Sequence, residues 1–138
     1  PWVATASDAG VTLPGDGLVH ARYYGTFPRK IRKYALNSTN PVLPLGQAIR
    51  SMTSFPATIM GFQERGRIKV GYNADIVVLD LEAVRDAATF FEPHQYAKGI
   101  PFVMINGTFV VENSAPTFAL PGSVLLRPAP RDRQDTDD

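Results

Sequence analysis

Asp8, His20, Arg22 and His94 are the side chains of this 138-residue sequence best suited to chemistry. Asp8 closes the stretch WVATASD, in which Val3 to Ala6 is short, apolar and β-capable. A carboxylate at the C-terminal tip of a strand is where α/β barrels place catalytic groups, and it can act as a general base. An Asp in such a place is also a common turn or helix-cap residue. His20 and Arg22 follow in VHARYYGTFPR, at the end of a Gly- and Pro-rich loop. A guanidinium there can grip a carboxylate through two parallel hydrogen bonds, or serve only a surface salt bridge. A loop histidine such as His20 can equally bond to backbone. His94, in EPHQY, has no second His, Cys or spaced carboxylate in a ligand pattern and reads as structural. With two histidines and no cysteine, the chain cannot assemble a metal centre by itself.

The elements that must position these residues can be read in order. The loop from Asp8 to Tyr24 carries Gly10, Pro14, Gly15 and Gly17 and is expected to be irregular. GTFPRKIRKYAL reads as a helix capped by Thr26, with Pro28 in its first turn and Phe27, Ile31, Tyr34 and Ala35 on one face. Arg29, Lys30, Arg32 and Lys33 occupy the rest of that helix and read as a solvated face rather than a nucleic-acid patch. A second helix, LPLGQAIRSMTS, opens at Pro44 and repeats Leu45, Ala48, Ile49 and Met52. A third, in TSFPATIMGF, is expected to be capped by Ser54 and ended by Gly61.

After Gly66 the pattern turns from helical to β. Ile76 to Leu79 is a continuous apolar run that suits a strand buried on both faces. Phe102 to Ile105 and Thr108 to Val111 flank Asn106-Gly107, the dipeptide of a type I′ hairpin. GSVLLRP reads as a further strand, and the tail RPAPRDRQDTDD, with no apolar residue after Ala129, is expected to be disordered. The 44% hydrophobic and 20% charged content is that of an ordinary globular domain, and a net charge of +1 supplies no field for nucleic acid or an acidic membrane. No apolar run is long enough to span a bilayer. Absence of cysteine fits a cytoplasmic protein. The chain has no initiator Met, from which a start inside a larger product is expected.

SDAG followed by HARYYGTFPR resembles the Ser-Asp-Gly and His-Pro-Arg-x-x-Gly-Thr-Phe-Pro-Arg signature of N-acyl-D-amino-acid deacylases, the D-aminoacylases of the amidohydrolase superfamily. The resemblance continues through LPLGQAIRSMTSFPATIMGF, RGRIKVGYNADIVVLD and HQYAKGIPFVMINGTFVVEN, in collinear order over roughly residues 3 to 125. The Ala-Asp strand and the Asn-Gly hairpin are shared widely in the superfamily, whereas Gly-Thr-Phe-Pro-Arg is specific to this branch. Two departures stand out: Asp8-Ala9-Gly10 replaces Asp-Gly, and His20-Ala21-Arg22 replaces His-Pro-Arg.

The resemblance implies a mixed α/β fold: the last strand and helices of a (β/α)8 metal-dependent hydrolase barrel, followed by part of a β-sandwich domain. Residues 1–62 then form the end of the barrel, 63–127 part of the sandwich, and 128–138 a tail. It implies that Asp8 sits at the catalytic mouth as general base toward the zinc-bound water, and as a candidate zinc ligand, and that Arg22, with His20 beside it, holds the substrate's α-carboxylate. The zinc would be bound mainly by residues outside this chain, which alone is expected to be inactive. The expected partners are the N-terminal remainder of the same enzyme and a small N-acyl-D-amino acid. Uncovered strand edges also invite a homo-oligomer. Two other readings are a fragment of a hydantoinase- or dihydroorotase-like amidohydrolase, and a non-catalytic β-rich assembly module. GTFPR argues against the first; Asp8 and Arg22 argue against the second.

Overall fold

A computed structural model describes residues 2–37 and 39–126. Helix α1 spans Arg22–Lys30 and runs straight into a π-helical turn, Ile31–Ala35. That turn is closed by the Leu36 N–H, which donates to the Ile31 carbonyl at 3.0 Å. α1 starts four residues before Thr26, so Thr26 is not its cap. The Thr26 hydroxyl instead donates to the Arg22 carbonyl one turn back, at 2.9 Å. Pro28 therefore lies inside the helix, buried, and has no N–H to offer the carbonyl of Tyr24.

Helix α2 spans Leu45–Met52, with Pro44 as its cap residue as the sequence predicts. Helix α3 spans Ser54–Met60. Thr53, not Ser54, precedes its first turn, and Gly61 ends it in the left-handed conformation at φ 79°. The predicted strand at Val3 to Ala6 is not formed. Thr5 N–H donates to the Ser51 carbonyl at 2.8 Å, because the described residues hold no parallel neighbour for it to pair with.

The basic face of α1 is not simply solvated. Arg29 pairs with Asp86 at 2.9 Å, and the Lys30 ammonium donates to the hydroxyls of Thr5 and Ser51. Arg32 donates from Nε to the Val84 carbonyl at 2.8 Å and from Nη2 to the carbonyls of Leu81 and Glu82. The Arg29 and Arg32 contacts dock α1 and its π-helical turn on the 80–88 segment, and Lys30 ties α1 to the N-terminal segment and α2. The core follows the same seam: Ile31, Ala48, Ala57, Val84 and Ala88 are its buried apolar residues. Gly25 lets the seam close, since a Cβ there would sit 3.2 Å from the Cβ of Asp86.

Strands β1 (Ile76–Val78), β2 (Phe102–Ile105), β3 (Thr108–Glu112) and β4 (Ala115–Pro116) form an antiparallel sheet in chain order. Ile76 pairs with Met104, and Ile105 with Thr108, with an irregularity between Val103 and Met104. Asn106 and Gly107 both have positive φ, 49° and 81°, as a type I′ turn requires. Asp75 holds that turn in place. Its carboxylate accepts the Asn106 N–H at 2.9 Å and pairs with Arg65, while the Gly107 N–H donates to the Ala74 carbonyl at 3.0 Å.

Two β expectations need correction. Val77 and Val78 are 53% and 45% exposed, so β1 is not buried on both faces; no layer of the described residues covers them. Residues 122–126 form no strand, for want of a neighbour. Arg127, Pro128 and the tail expected to be disordered lie outside the described residues.

The approach of Gly99 to the buried Val84 generates a stability test. At φ 73°, a Cβ on Gly99 would lie 2.3 Å from the Val84 nitrogen. Gly71 has φ 84° but nothing within 4 Å of such a Cβ. Gly71→Ala should cost about 1 kcal/mol for the left-handed backbone alone. Gly99→Ala should cost about 1–3 kcal/mol more through overpacking. Urea unfolding of both variants measures the difference, and equal losses would contradict the tight seam.

Candidate active site

Asp8 follows the extended Val3–Ala6 segment and adopts φ 51°, a left-handed turn that a short polar side chain tolerates. The loop then leaves Asp8, passes Gly15 and Gly17, both at positive φ, and enters α1 at Arg22. It returns on itself, so that the guanidinium of Arg22 lies 3.2 Å from the Asp8 carboxylate. Asp8 is 90% exposed and Arg22 43%, so this pair is an exposed one, weak as a stabiliser and free to exchange partners.

His20 joins the pair through backbone. Its Nδ1 accepts the Arg22 N–H at 3.0 Å, which satisfies a donor at the start of α1 and leaves Nε2 as the protonated nitrogen of the neutral ring. Its ring meets Phe90 edge-on at 5.1 Å. Beside them lies a cavity of about 410 Å³, lined by His20, Arg22, Gly25, Arg29, Asp86 and Phe90 among others. That volume suits a small organic ligand. Arg29 and Asp86 neutralise each other on its wall, so Arg22 is the cation in it whose carboxylate partner is solvent-exposed.

His94 lies apart from that cluster. Its Nε2 is 2.6 Å from the Gly17 carbonyl and its Nδ1 is 3.0 Å from the Tyr24 hydroxyl. The structural reading of His94 thus has a definite form: it ties the loop to α1. Desolvation, with the negative potential of Tyr96 and Asp16 added, raises the Tyr24 pKa and keeps its hydroxyl protonated. Sequence reasoning missed Tyr24, Asp86 and Phe90. Only their spacing from the other residues in folded space reveals them, and no local motif does so.

Among the described residues, no three His, Cys, Asp or Glu side chains gather so as to hold a metal ion. Asp8 offers one oxygen donor of a kind zinc accepts, which fits a single ligand position and not a centre.

Comparison with known proteins places these residues in context. The model of the amidohydrolase family matches residues 2–111. An N-acyl-D-glutamate deacylase of Alcaligenes xylosoxydans xylosoxydans is 38% identical over 117 residues, covering 85% of this chain and 23% of its own length. A crystal structure of a D-aminoacylase is 39% identical and superposes with a TM-score of 0.66 over 72% of this chain and 21% of its own. An N-acyl-D-glutamate deacylase from Bordetella bronchiseptica, solved with zinc and a phosphonate mimic of the tetrahedral intermediate, is 40% identical with a TM-score of 0.62, over 66% of this chain and 19% of its own. The chain therefore spans less than a quarter of the length of each of these relatives. On the extent of the family match and these identities, the chain belongs to the amidohydrolase family.

Proposed function

We propose that these residues are the C-terminal portion of a zinc-dependent hydrolase that converts N-acyl-D-amino acids to a carboxylic acid and a D-amino acid. The observation that carries this reading is the meeting of Asp8 and Arg22, 3.2 Å apart beside a ligand-sized cavity. The names of the relatives supply the substrate class. In this reading residues 1–62 complete a (β/α)8 barrel, and 63–127 belong to a β-sandwich packed beside it. The remainder of the enzyme covers Val77 and Val78 and supplies the other zinc ligands. A cytoplasmic location accords with a chain that has no cysteine.

Zinc, when bound, would act as a Lewis acid and lower the pKa of the attacking water. Asp8 is the residue of this chain that would approach it. The Asp8 carboxylate takes the proton of that water as the new C–O bond forms at the amide carbon. It then returns the proton to the nitrogen as the C–N bond breaks. Arg22 binds the α-carboxylate through its planar fork, with the His20 ring fixed beside it by the Arg22 N–H. The substrate's carboxylate would replace Asp8 on the Arg22 guanidinium, which frees Asp8 for proton transfer.

Asp8→Asn in the complete enzyme keeps size and shape but removes the base. It should lower kcat by about 100- to 10,000-fold. Folding should change by less than about 1 kcal/mol, because the pair with Arg22 is exposed. Steady-state kinetics beside a denaturation curve check both, and near-normal turnover would return Asp8 to a turn residue.

Arg22→Lys tests the substrate class. It keeps the charge and loses the bidentate fork, so kcat/KM should fall about 10- to 150-fold on an N-acyl-D-amino acid, the loss of a charge-assisted hydrogen bond. The matching amide, which has no carboxylate to grip, should show almost no loss. Equal losses on acid and amide would reduce Arg22 to a support of the loop.

A further inference from the structure

The loop between Asp8 and Arg22 is long, rich in glycine, and mostly bonded to itself. Asp16 accepts from the Leu13 N–H at 2.6 Å and from the Thr12 hydroxyl, and the Asp16 N–H donates to the Leu13 carbonyl. Among the described residues, the hydrogen bond that ties residues 9–19 to the rest of the chain is that of the Gly17 carbonyl with His94 Nε2, at 2.6 Å. The other nitrogen of the same ring meets the Tyr24 hydroxyl at 3.0 Å. Tyr24 lies on the first turns of α1, two residues after Arg22, and its ring packs edge-on against both His94 and Tyr96.

Donor and acceptor roles follow from the chemistry. A carbonyl can only accept, so His94 Nε2 carries the proton. A neutral imidazole then has Nδ1 as acceptor, and the Tyr24 hydroxyl is the donor that satisfies it. One neutral side chain thus bridges the middle of the loop to the helix that begins with Arg22. The two ends of the loop carry Asp8 and Arg22, and a tether at Gly17, nine residues after Asp8 and five before Arg22, removes much of the freedom that thirteen intervening residues would have.

We propose that His94 is a positioning residue: protonated at Nε2, it latches Gly17 to Tyr24 and so holds the loop that brings Asp8 to Arg22. The role in substrate binding rests on the function proposed above; the latch itself does not. When the latch is lost, the loop opens more often, and the site must be reordered each time a carboxylate binds to Arg22.

The test uses the complete enzyme with two variants. His94→Phe removes both hydrogen bonds and keeps a ring against Tyr24. Tyr24→Phe removes only the hydroxyl half, which keeps the test valid if the first variant folds poorly. Leu18 directly follows Gly17 and is 93% exposed. Native-state proteolysis with a protease that cleaves after leucine and phenylalanine reads the opening of the loop. His94→Phe should speed cleavage after Leu18 by about five- to tenfold, the worth of an ordinary hydrogen bond, and Tyr24→Phe should speed it by less. Cleavage after Phe118, exposed and remote in sequence, should stay constant in both and so separates loop opening from general loosening. Nitrogen NMR should show His94 protonated at Nε2. KM for an N-acyl-D-amino acid should rise by a similar factor, with kcat within about twofold, because the effect lies in ordering the loop rather than in proton transfer. Loop cleavage unchanged in both variants, or a neutral His94 protonated at Nδ1, overturns the latch. Faster loop cleavage with KM unmoved leaves the latch standing and overturns the catalytic reading of the loop.

Discussion

One guanidinium holds the two halves of this chain in register. Arg32 projects from the π-helical turn after α1 and donates to three consecutive-turn carbonyls, those of Leu81, Glu82 and Val84. Carbonyls at a turn have no ladder partner, and a planar fork with several fixed donors satisfies them as an ammonium could not. With that turn fixed, Val84 is wholly buried, and Gly99 is pressed against its backbone. Asp86 then comes within reach of Arg29, and Phe90 within reach of His20. The wall of the candidate site is therefore set by a contact outside the site. Arg32 makes this contact from within the π-helical turn, Ile31–Ala35.

Much of the fold was legible in local chemistry. Asn106-Gly107 between two β-rich runs, Pro44 before an apolar repeat, and Gly61 after one each demand a particular backbone angle, and each is found where the sequence places it. The errors share a cause. Thr26 looks like a helix cap because a Thr before Pro28 satisfies the local rule, yet the helix starts earlier and the hydroxyl bonds back into it. Val3 to Ala6 has the composition of a strand, but a strand exists only with a neighbour, and composition does not supply one. Arg29, Lys30 and Arg32 were indistinguishable in sequence from solvated charges. Their partners lie between 21 and 57 residues away, beyond the reach of any periodicity.

The candidate site was legible to a different degree. Asp8, His20 and Arg22 could be picked out by type and by resemblance, and the structure brings all three together. What could not be read was how they meet. The loop turns back through glycines at positive φ and is bonded to His94, a residue that carries no ligand pattern and whose partners, Tyr24 and Gly17, lie 70 and 77 residues away. Phe90 and Asp86 belong to the wall of the cavity because of the Arg32 contact, a relation between elements that no local motif records.

The order of the strands has a consequence for how the chain assembles. β2, β3 and β4 pair with immediate neighbours across two-residue turns, so their closure entropy is small and hairpin formation takes microseconds. The Arg32 contact with Val84 closes a segment of 52 residues. Each doubling of length adds about 0.6 kcal/mol, so this closure costs about 2.5 kcal/mol more than that of a short hairpin. The β2–β4 part of the sheet can therefore form while the helices are still searching for it; β1, which joins β2 across 24 residues from Val78 to Phe102, and the joint to the helices close later. A polypeptide built in this way gathers its hairpins first and acquires the wall of its candidate site last.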